Sequence, residues 1–580
     1  MLFDASALQA ILSNIRSAVT SSSLVLSALR VLSALAKSSL LSIESCPTNL
    51  STLAEAVFSD GPLRSLCGIL RQSSNNADVD AQISHTASLI GTLCCHDRHR
   101  DSLVNAGVLD ALANVLAVVV VSQGLAIPGP GLNDHIEELR RHSSVKHPEK
   151  VDVGAVLNAL AIVIANSKSR AYSLVRSPAL SGIWHHNPST PSRASSSHQP
   201  ARSRNAIDCL NPELPCTKTS TTPASSAFPP LGSQDLFNSE FCSDHNQGAS
   251  LGAKRYENLE MSSECPTPKS PQDSESPLIS YLIWMTRSSD SIVGLRSARL
   301  LATIYKTGLA SQHREVDIAL LVVPLLVLWL DEAFCEFPSG CERMRSKFEV
   351  VSTLAPAVLA IFVLDSERLQ KAAYDAGAVP KLCKILKSSY QPAPPQLLGH
   401  SWCPQSSNRG NAFDHSTNTE HNLPPLLVQK IKVRECALRA IAALLPFKDD
   451  YRKALVAEGA MPIIVESLRP KPGQHEEVNG GERQEGAHPI SPKIIPVLGI
   501  NTVPILVAAC AIVQHLARSP AILRTTLVDS RVSMPIFELL HYSDVEVRIA
   551  ATAAVCNLVT DMSPMRLVSC IFLHRHESGR

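Results

Sequence analysis

The stretch MPIFELLHYSDVEVRIAATAAVCNLV, residues Met534 to Val559, decides the fold of this chain. Apolar residues recur at helical spacing in its first part, Ser543 and Asp544 interrupt it, and an Ala-rich amphipathic segment follows. Because residues three and four apart share one helix face, the stretch predicts two helices joined by a short turn. Such a unit cannot bury its apolar face alone, so it needs neighbours of its own kind.

Weaker copies of this unit precede it in the chain. AVPKLCKIL begins at Ala378, AMPIIVESL begins at Ala460, and each lies beside an Ala-rich apolar helix. Leu444, Leu516 and Leu558 occupy one register, and the last two are 42 residues apart, which is the spacing of helical repeats. The sequence therefore predicts an all-α, armadillo-type right-handed helical solenoid with long disordered inserts. Stacked repeats of this kind form a concave groove suited to binding protein.

Composition agrees with helical packing and limits the function. Hydrophobic residues make up 45% of the 580 residues but aromatics only 4%, so the apolar mass is Ala, Leu, Val and Ile. The formal net charge is +1, so no bulk field would hold a polyanion, and nucleic acid is not expected as a partner. The 16 cysteines form no CxxC pair, which favours packed free thiols in a reducing compartment. We therefore expect a location in the cytoplasm and nucleus.

No targeting or membrane segment is expected. The N-terminal MLFDASALQAILSNI carries Asp4 and no basic region, so it predicts an amphipathic helix and not a signal peptide. The most apolar run, 318–330, is interrupted by Pro324 and is too short to cross a bilayer. It predicts a buried repeat helix.

Shifts in composition predict the order of domains. Pro-, Ser- and Asn-rich stretches lack helical periodicity and are expected to be disordered. The predicted segments are N-terminal armadillo-like repeats 1–184, a disordered insert 185–276, repeats 277–387, an insert 388–425, one repeat 426–468, an insert 469–495, repeats 496–566 and an atypical tail 567–580.

Short local signals mark turns and possible regulation. Gly107, Gly377 and Gly459 each follow a helical segment, where glycine tolerates the positive φ that ends a helix. The first insert and its border carry three Ser/Thr-Pro dipeptides that a proline-directed kinase could recognise, or that composition alone explains: Thr267-Pro268, Ser270-Pro271 and Ser276-Pro277.

The sequence lacks the motifs of catalysis. It has no nucleophile elbow, no Gly-rich phosphate loop and no HExxH, so neither an enzyme nor a cofactor is predicted. Cys94, Cys95, His96 and His99 superficially resemble metal ligands. Adjacent cysteines on a helix point about 100° apart, and no second Cys/His pair follows at zinc-finger spacing, so no metal site is expected.

The candidate binding residues lie on the predicted third helices, whose matched positions should face one groove. The register of Asn557 recurs at His515, Ala443, Thr303, Ala161 and Thr92, and Arg299 and Arg439 lie one turn earlier. Either these arginines form a basic strip for an acidic partner or a chain terminus, or they are solvated surface. Arg434 and Arg548 are expected to cap or bridge repeats at the start of third helices. The predicted protein-binding groove consists of Arg299, Thr303, Arg439, His515 and Asn557.

An importin-α-like receptor is the alternative for this fold. It would need a row of Asn residues with interleaved Trp on the third helices. Among the register positions only Asn557 is Asn, and the four tryptophans lie elsewhere.

The segment from Ala508 to Arg566 resembles the armadillo-repeat-containing protein 8 family, called vacuolar import and degradation protein 28 in yeasts. Cys556-Asn557-Leu558 followed by Ser563-Pro564-Met565-Arg566 carries the specific part of the resemblance. The resemblance implies a non-catalytic subunit of the GID/CTLH ubiquitin ligase. Its partners would be other ligase subunits and a substrate receptor whose tail docks in the concave face. The family continues with further repeats where this chain reads LVSCIFLHRHESGR, so we expect a truncated C-terminus.

Overall fold

The computed structural model describes eleven stretches of the chain, all in one compact unit formed by Met1–Asp208 and Glu275–Arg580. They are residues 5–16, 22–40, 47–72, 76–122, 151–184, 275–332, 342–391, 425–471, 500–520, 522 and 525–559. Except at their edges, the predicted inserts lie outside the described residues. The tail, the Ser563–Arg566 signature, Thr267 and Ser270 also lie outside them.

Within these residues the structure contains helices and no β-strand. The helices are α1 Ala5–Arg16, α2 Ser22–Leu40, α3 Pro47–Val57, α4 Asp60–Leu70, α5 Ala77–Leu93, α6 Asp97–Asn105, α7 Val108–Ser122, α8 Val153–Ile164, α9 Lys168–Val175, α10 Pro178–Trp184, α11 Pro277–Ser288, α12 Ser291–Lys306, α13 Gln312–Asp317, a π-helix Ile318–Val322, α14 Val323–Glu332, α15 Glu342–Val363, α16 Glu367–Asp375, α17 Ala378–Ser389, α18 Pro425–Leu444, α19 Asp449–Ala457, α20 Met461–Ser467, α21 Val503–Leu516, α22 Thr526–Asp529, α23 Ser533–Leu539 and α24 Val545–Leu558.

Every third helix packs against the third helix of the next repeat. The row runs without a break through α2, α5, α8, α12, α15, α18, α21 and α24. Two further helices accompany most members of the row, as α16 and α17 accompany α18. This arrangement confirms the predicted armadillo-type helical solenoid. The deciding stretch forms α23 and α24, with Asp544 at the N-cap accepting bonds from Glu546 N and Val547 N.

Four of the five longest breaks between described stretches fall at one recurrent point of the repeat. Segments 123–150, 333–341, 392–424 and 472–499 each separate a second helix from the following third helix. Added chain at this point leaves the contacts between third helices in place. The break 185–274 differs, because it separates α10 from α11.

The apolar run 318–330 forms two joined helices where the sequence predicted one. A π-helix occupies its first part, and Val323 N–H bonds to the carbonyl of Ile318 five residues back. Pro324 has no N–H to bond Leu320 four residues back, so the widened turn accommodates the proline. Most of the run is buried as predicted, but Leu320 is 70% exposed and Leu328 is 56% exposed.

A buried polar cluster connects two neighbouring repeats around Arg434. Its guanidinium donates to Asn501 Oδ1 at 2.7 Å and to the Ser389 carbonyl at 3.1 Å, and it lies 3.6 Å from the centre of the Tyr390 ring. Asn501 in turn donates to the carbonyls of Glu466 and Arg469. The predicted bridging role of Arg434 is confirmed, although it lies in the middle of α18 and not at its start.

Arg548, for which the same role was predicted, is exposed and donates to the Tyr542 carbonyl within its own repeat. It bridges no neighbouring repeat through the bonds of the described residues.

The two arginines should therefore differ in their effect on stability. Arg434→Ala leaves buried acceptors unpaired and opens a cavity, so it should cost about 2–4 kcal/mol of unfolding free energy. Arg548→Ala should change it by less than about 0.5 kcal/mol, as expected at the surface. Thermal unfolding followed by circular dichroism measures both. Equal melting temperatures for the two variants would contradict the bridging role.

The predicted turn glycines adopt positive φ: 78° at Gly107, 81° at Gly377 and 64° at Gly459. A Cβ added at Gly377 meets nothing within 4 Å, so only the backbone conformation opposes a larger residue there. Gly68, inside α4, has equally open surroundings but no positive φ.

Alanine substitutions at Gly377 and at Gly68 separate backbone strain from packing, because neither added methyl group meets a neighbour. Gly377→Ala should lower the unfolding free energy by about 1–2 kcal/mol, the cost of a left-handed non-glycine residue. Gly68→Ala should raise it by about 1 kcal/mol through helix propensity. Opposite shifts in melting temperature are expected, and shifts of the same sign would rule out this explanation.

Candidate functional site

The inner third helices are buried on all sides but one. Their partly exposed residues recur three or four positions apart, as Arg296, Arg299 and Thr303 do on α12. We call this surface the third-helix face. The members that matter here are Asn158, Arg296, Arg299, Thr303, Lys432, Cys436, Arg439, His515 and Asn557.

Several of these side chains are desolvated although water reaches them. Burial lowers the pKa of Arg299 and of Lys432, and it raises the pKa of the Cys436 thiol to about 12. All three residues remain partly exposed. Burial therefore disfavours the charged form of all three groups.

Arg299 forms a bond to the neighbouring third helix. One of its terminal nitrogens donates to Asn158 Oδ1 of α8 at 2.8 Å. Its guanidinium also acts on the Cys436 thiol of α18, although α15 lies between α12 and α18. Among the described residues, Arg299 forms no ion pair with a carboxylate. Its remaining donors can therefore serve a ligand.

Arg439 belongs to the same face but has a different environment. Its side chain is 55% exposed, and it pairs with Glu435 one turn earlier at 2.9 Å. Its charge is thus already balanced within α18, and its pairing is that of an ordinary surface ion pair.

Thr303 and His515 contribute no free charge at neutral pH. The Thr303 hydroxyl donates to the Arg299 carbonyl of its own helix at 2.8 Å. Burial lowers the pKa of His515 to about 4, so its imidazole is neutral at pH 7. The buried Nδ1 of His515 has no hydrogen-bond partner among the described residues.

Asn557 joins two repeats. Its Nδ2 donates to the Gln514 carbonyl of α21 at 2.9 Å. The Asn557 amide, which was proposed to bond a ligand, therefore bonds the main chain of the neighbouring third helix in this structure. The five predicted residues lie on four third helices, and among them only Arg299 and Thr303 are hydrogen-bonded to each other in the described structure.

The sequence missed Asn158. Matching Thr303 with Ala161 places Leu157 opposite Arg299, whereas the structure pairs Arg299 with Asn158, so the register is displaced by one residue. Ala161 is buried, at 1% exposure. The sequence does single out Asn158, because it is the one polar side chain within the apolar helix VGAVLNALAIVI.

The residues considered as metal ligands are Cys94, Cys95, His96 and His99. Cys94 and Cys95 follow α5 and do not lie on a helix, which corrects the reason given from the sequence. His99 is 3% exposed and its Nε2 lies 3.1 Å from Glu55 Oε1. The described residues contain no group of three or more side chains suited to a metal ion.

The tryptophans that an importin-α-like receptor would carry on its third helices lie elsewhere. Trp184, Trp284 and Trp329 lie on α10, α11 and α14, outside the third helices, and Trp402 lies outside the described residues.

In the part of the chain that the structure describes, no single helix is long and apolar enough to cross a membrane. Helices α6 and α7 reach that length and apolar character only together, with a 72° bend between them.

Comparison with known proteins finds similarity to a curated protein. The chain is 29% identical over 291 residues to GID complex subunit 5 of Schizosaccharomyces pombe, a match covering 50% of this chain and 30% of that protein. The chain thus spans under a third of the length of this relative. No family model matches it.

Solved structures add a fold-level likeness only. A designed armadillo repeat protein is 14% identical with a TM-score of 0.30, covering 49% of this chain and 82% of its own. Computationally designed armadillo repeat proteins for modular peptide recognition give 16% identity and a TM-score of 0.28, covering 48% and 80%. Because both scores are below 0.5, the fold rests on the packing of the third helices.

The similarity over half of the chain confirms the resemblance that the sequence suggested. Over half of its length, this armadillo-type solenoid is similar to GID complex subunit 5.

Proposed function

We propose that the chain is a non-catalytic scaffold subunit of a GID/CTLH-type E3 ubiquitin ligase, which joins other subunits and presents the substrate receptor for degradation of target proteins. The similarity to GID complex subunit 5 is the observation that carries this proposal. The unbroken row of third helices supports it, because stacked repeats provide an extended surface for a partner chain. Residence in the cytoplasm and nucleus belongs to the same proposal.

The third-helix face is the proposed binding surface. It carries arginines on α12 and α18, and Arg299 has no carboxylate partner among the described residues. Arg299, Thr303, Arg439, His515 and Asn557 are proposed to contact an extended segment of the partner.

Co-purification tests the assembly. The full chain, tagged and expressed at its natural level in the source cells, should recover RING-type and LisH/CTLH-type subunits, identified by mass spectrometry. The Arg434→Ala variant serves as a control for loss of fold. Recovery of wild-type protein with none of these subunits would contradict membership of the ligase.

Replacement of Arg439 and Asn557 together tests the face. The double variant Arg439→Ala/Asn557→Ala should weaken partner binding by about 1–3 kcal/mol, the scale for lost hydrogen bonds to charged groups. Titration calorimetry with the recovered partner measures it.

Asn557→Ala alone is the matched control, because its amide also holds α24 to α21. Its melting temperature reports any loosening of the repeat. Normal partner binding by the double variant would place the interface elsewhere.

A further inference from the structure

We propose that Arg299, positioned by Asn158, forms a seat on the third-helix face for the side-chain carboxylate of an acidic peptide segment. The inference rests on the proposed function, since it names the chemistry that the scaffold surface would recognise.

The first support is the missing counter-ion. Arg170 and Arg314 are both buried, and each pairs with two carboxylates: Asp97 and Asp101 for Arg170, Glu275 and Asp317 for Arg314. Arg434 is also buried, and its two terminal nitrogens bond the Asn501 amide oxygen and the Ser389 carbonyl. Arg299 differs from all three, because only one of its terminal nitrogens is bonded in the described structure, to the neutral amide of Asn158. An incoming carboxylate could bond the rest of this guanidinium.

The second support is the fixed geometry of the guanidinium. Asn158 Oδ1 accepts from one terminal nitrogen, which leaves most of the five donors of the planar group available. Asn158 itself is confined, because its Nδ2 lies 2.7 Å from where a Cβ on Gly91 would stand. Gly91 therefore makes room for Asn158, and Asn158 orients Arg299. A preorganised planar fork matches a carboxylate in two parallel bonds.

The third support is the charge around the seat. Arg296 lies one turn before Arg299, and among the described residues its carboxylate contact is a 3.6 Å approach to Asp152. On α18, Glu435 is engaged by Arg439. Two arginines with little acid to balance them therefore share this face of α12, although the whole chain carries only +1.

The test uses purified full-length chain and a fluorescein-labelled peptide of six glutamates with an amidated C-terminus. Fluorescence anisotropy at low salt gives the affinity, because salt screens exposed ion pairs. Arg299→Met should weaken binding at least fivefold. Arg98→Met is the matched control, since Arg98 is an exposed arginine paired with Glu55 on α3, and it should leave the affinity within twofold. Unchanged binding by Arg299→Met overturns the proposal.

A structural role for Arg299 is separable from a binding role. Methionine fills similar space without charge, so Arg299→Met should melt no lower than the wild-type chain if the arginine serves a ligand. A large fall in melting temperature would show that Arg299 holds the repeats together, and the proposal would fail. Asn158→Ala should weaken peptide binding while keeping the charge, which checks the positioning step.

Two other probes distinguish alternative ligands. A neutral peptide with a free C-terminus tests recognition of a chain end, and labelled single-stranded oligothymidylate tests phosphate. If either binds more tightly than hexaglutamate and loses affinity in Arg299→Met, the assignment to an acidic side chain is wrong.

The peptide assay needs no partner protein. Its failure therefore leaves the ligase assignment intact, whereas failure of co-purification leaves the carboxylate seat intact.

Discussion

The packing of each third helix between its two neighbours is the constraint on which the rest of the structure depends. A helix such as α8 is almost wholly apolar, with residues from Ala155 to Ile164 buried on several sides. No single neighbour could cover so much surface. The row from α2 to α24 solves this by repetition, because every member completes the core of the one before it. Stability in such a row is distributed along the chain, and only one stripe per helix remains for function.

Side-chain amides add polar connections across this apolar row. Gln370 donates to the carbonyl of Ala443, Gln429 to that of Glu349, and Asn557 to that of Gln514. The bonds of Gln429 and Asn557 reach from one repeat to another, and the bond of Gln370 joins α16 to the end of α18. Buried carbonyls at helix ends would otherwise be costly, so these amides both satisfy the backbone and fix the stacking. Asn158 departs from this pattern, because its carbonyl oxygen accepts from Arg299 and holds a side chain in place instead of the backbone.

Local patterns predicted the elements, and contacts between elements were harder to predict. The period of Met534–Val559 predicted α23 and α24, and the glycine positions predicted the positive φ at Gly377. The residues proposed for binding do lie on third helices, because side-chain direction follows the helical period. Asn158 was missed because its pairing depends on how α8 slides against α12, which one sequence does not specify. The bond from Asn557 to the Gln514 carbonyl was not predicted for the same reason.

The cluster around Asn501 has a consequence for the length of the chain. Asn501 N bonds to the Pro470 carbonyl at 2.9 Å, and its side chain reaches Arg469, so the two ends of segment 472–499 are joined by direct bonds. Once the ends are fixed in this way, closure entropy depends only on the logarithm of the loop length, and each doubling costs about 0.6 kcal/mol. Selection can therefore lengthen, shorten or exchange the chain at this point almost freely, while the repeats on either side keep their register.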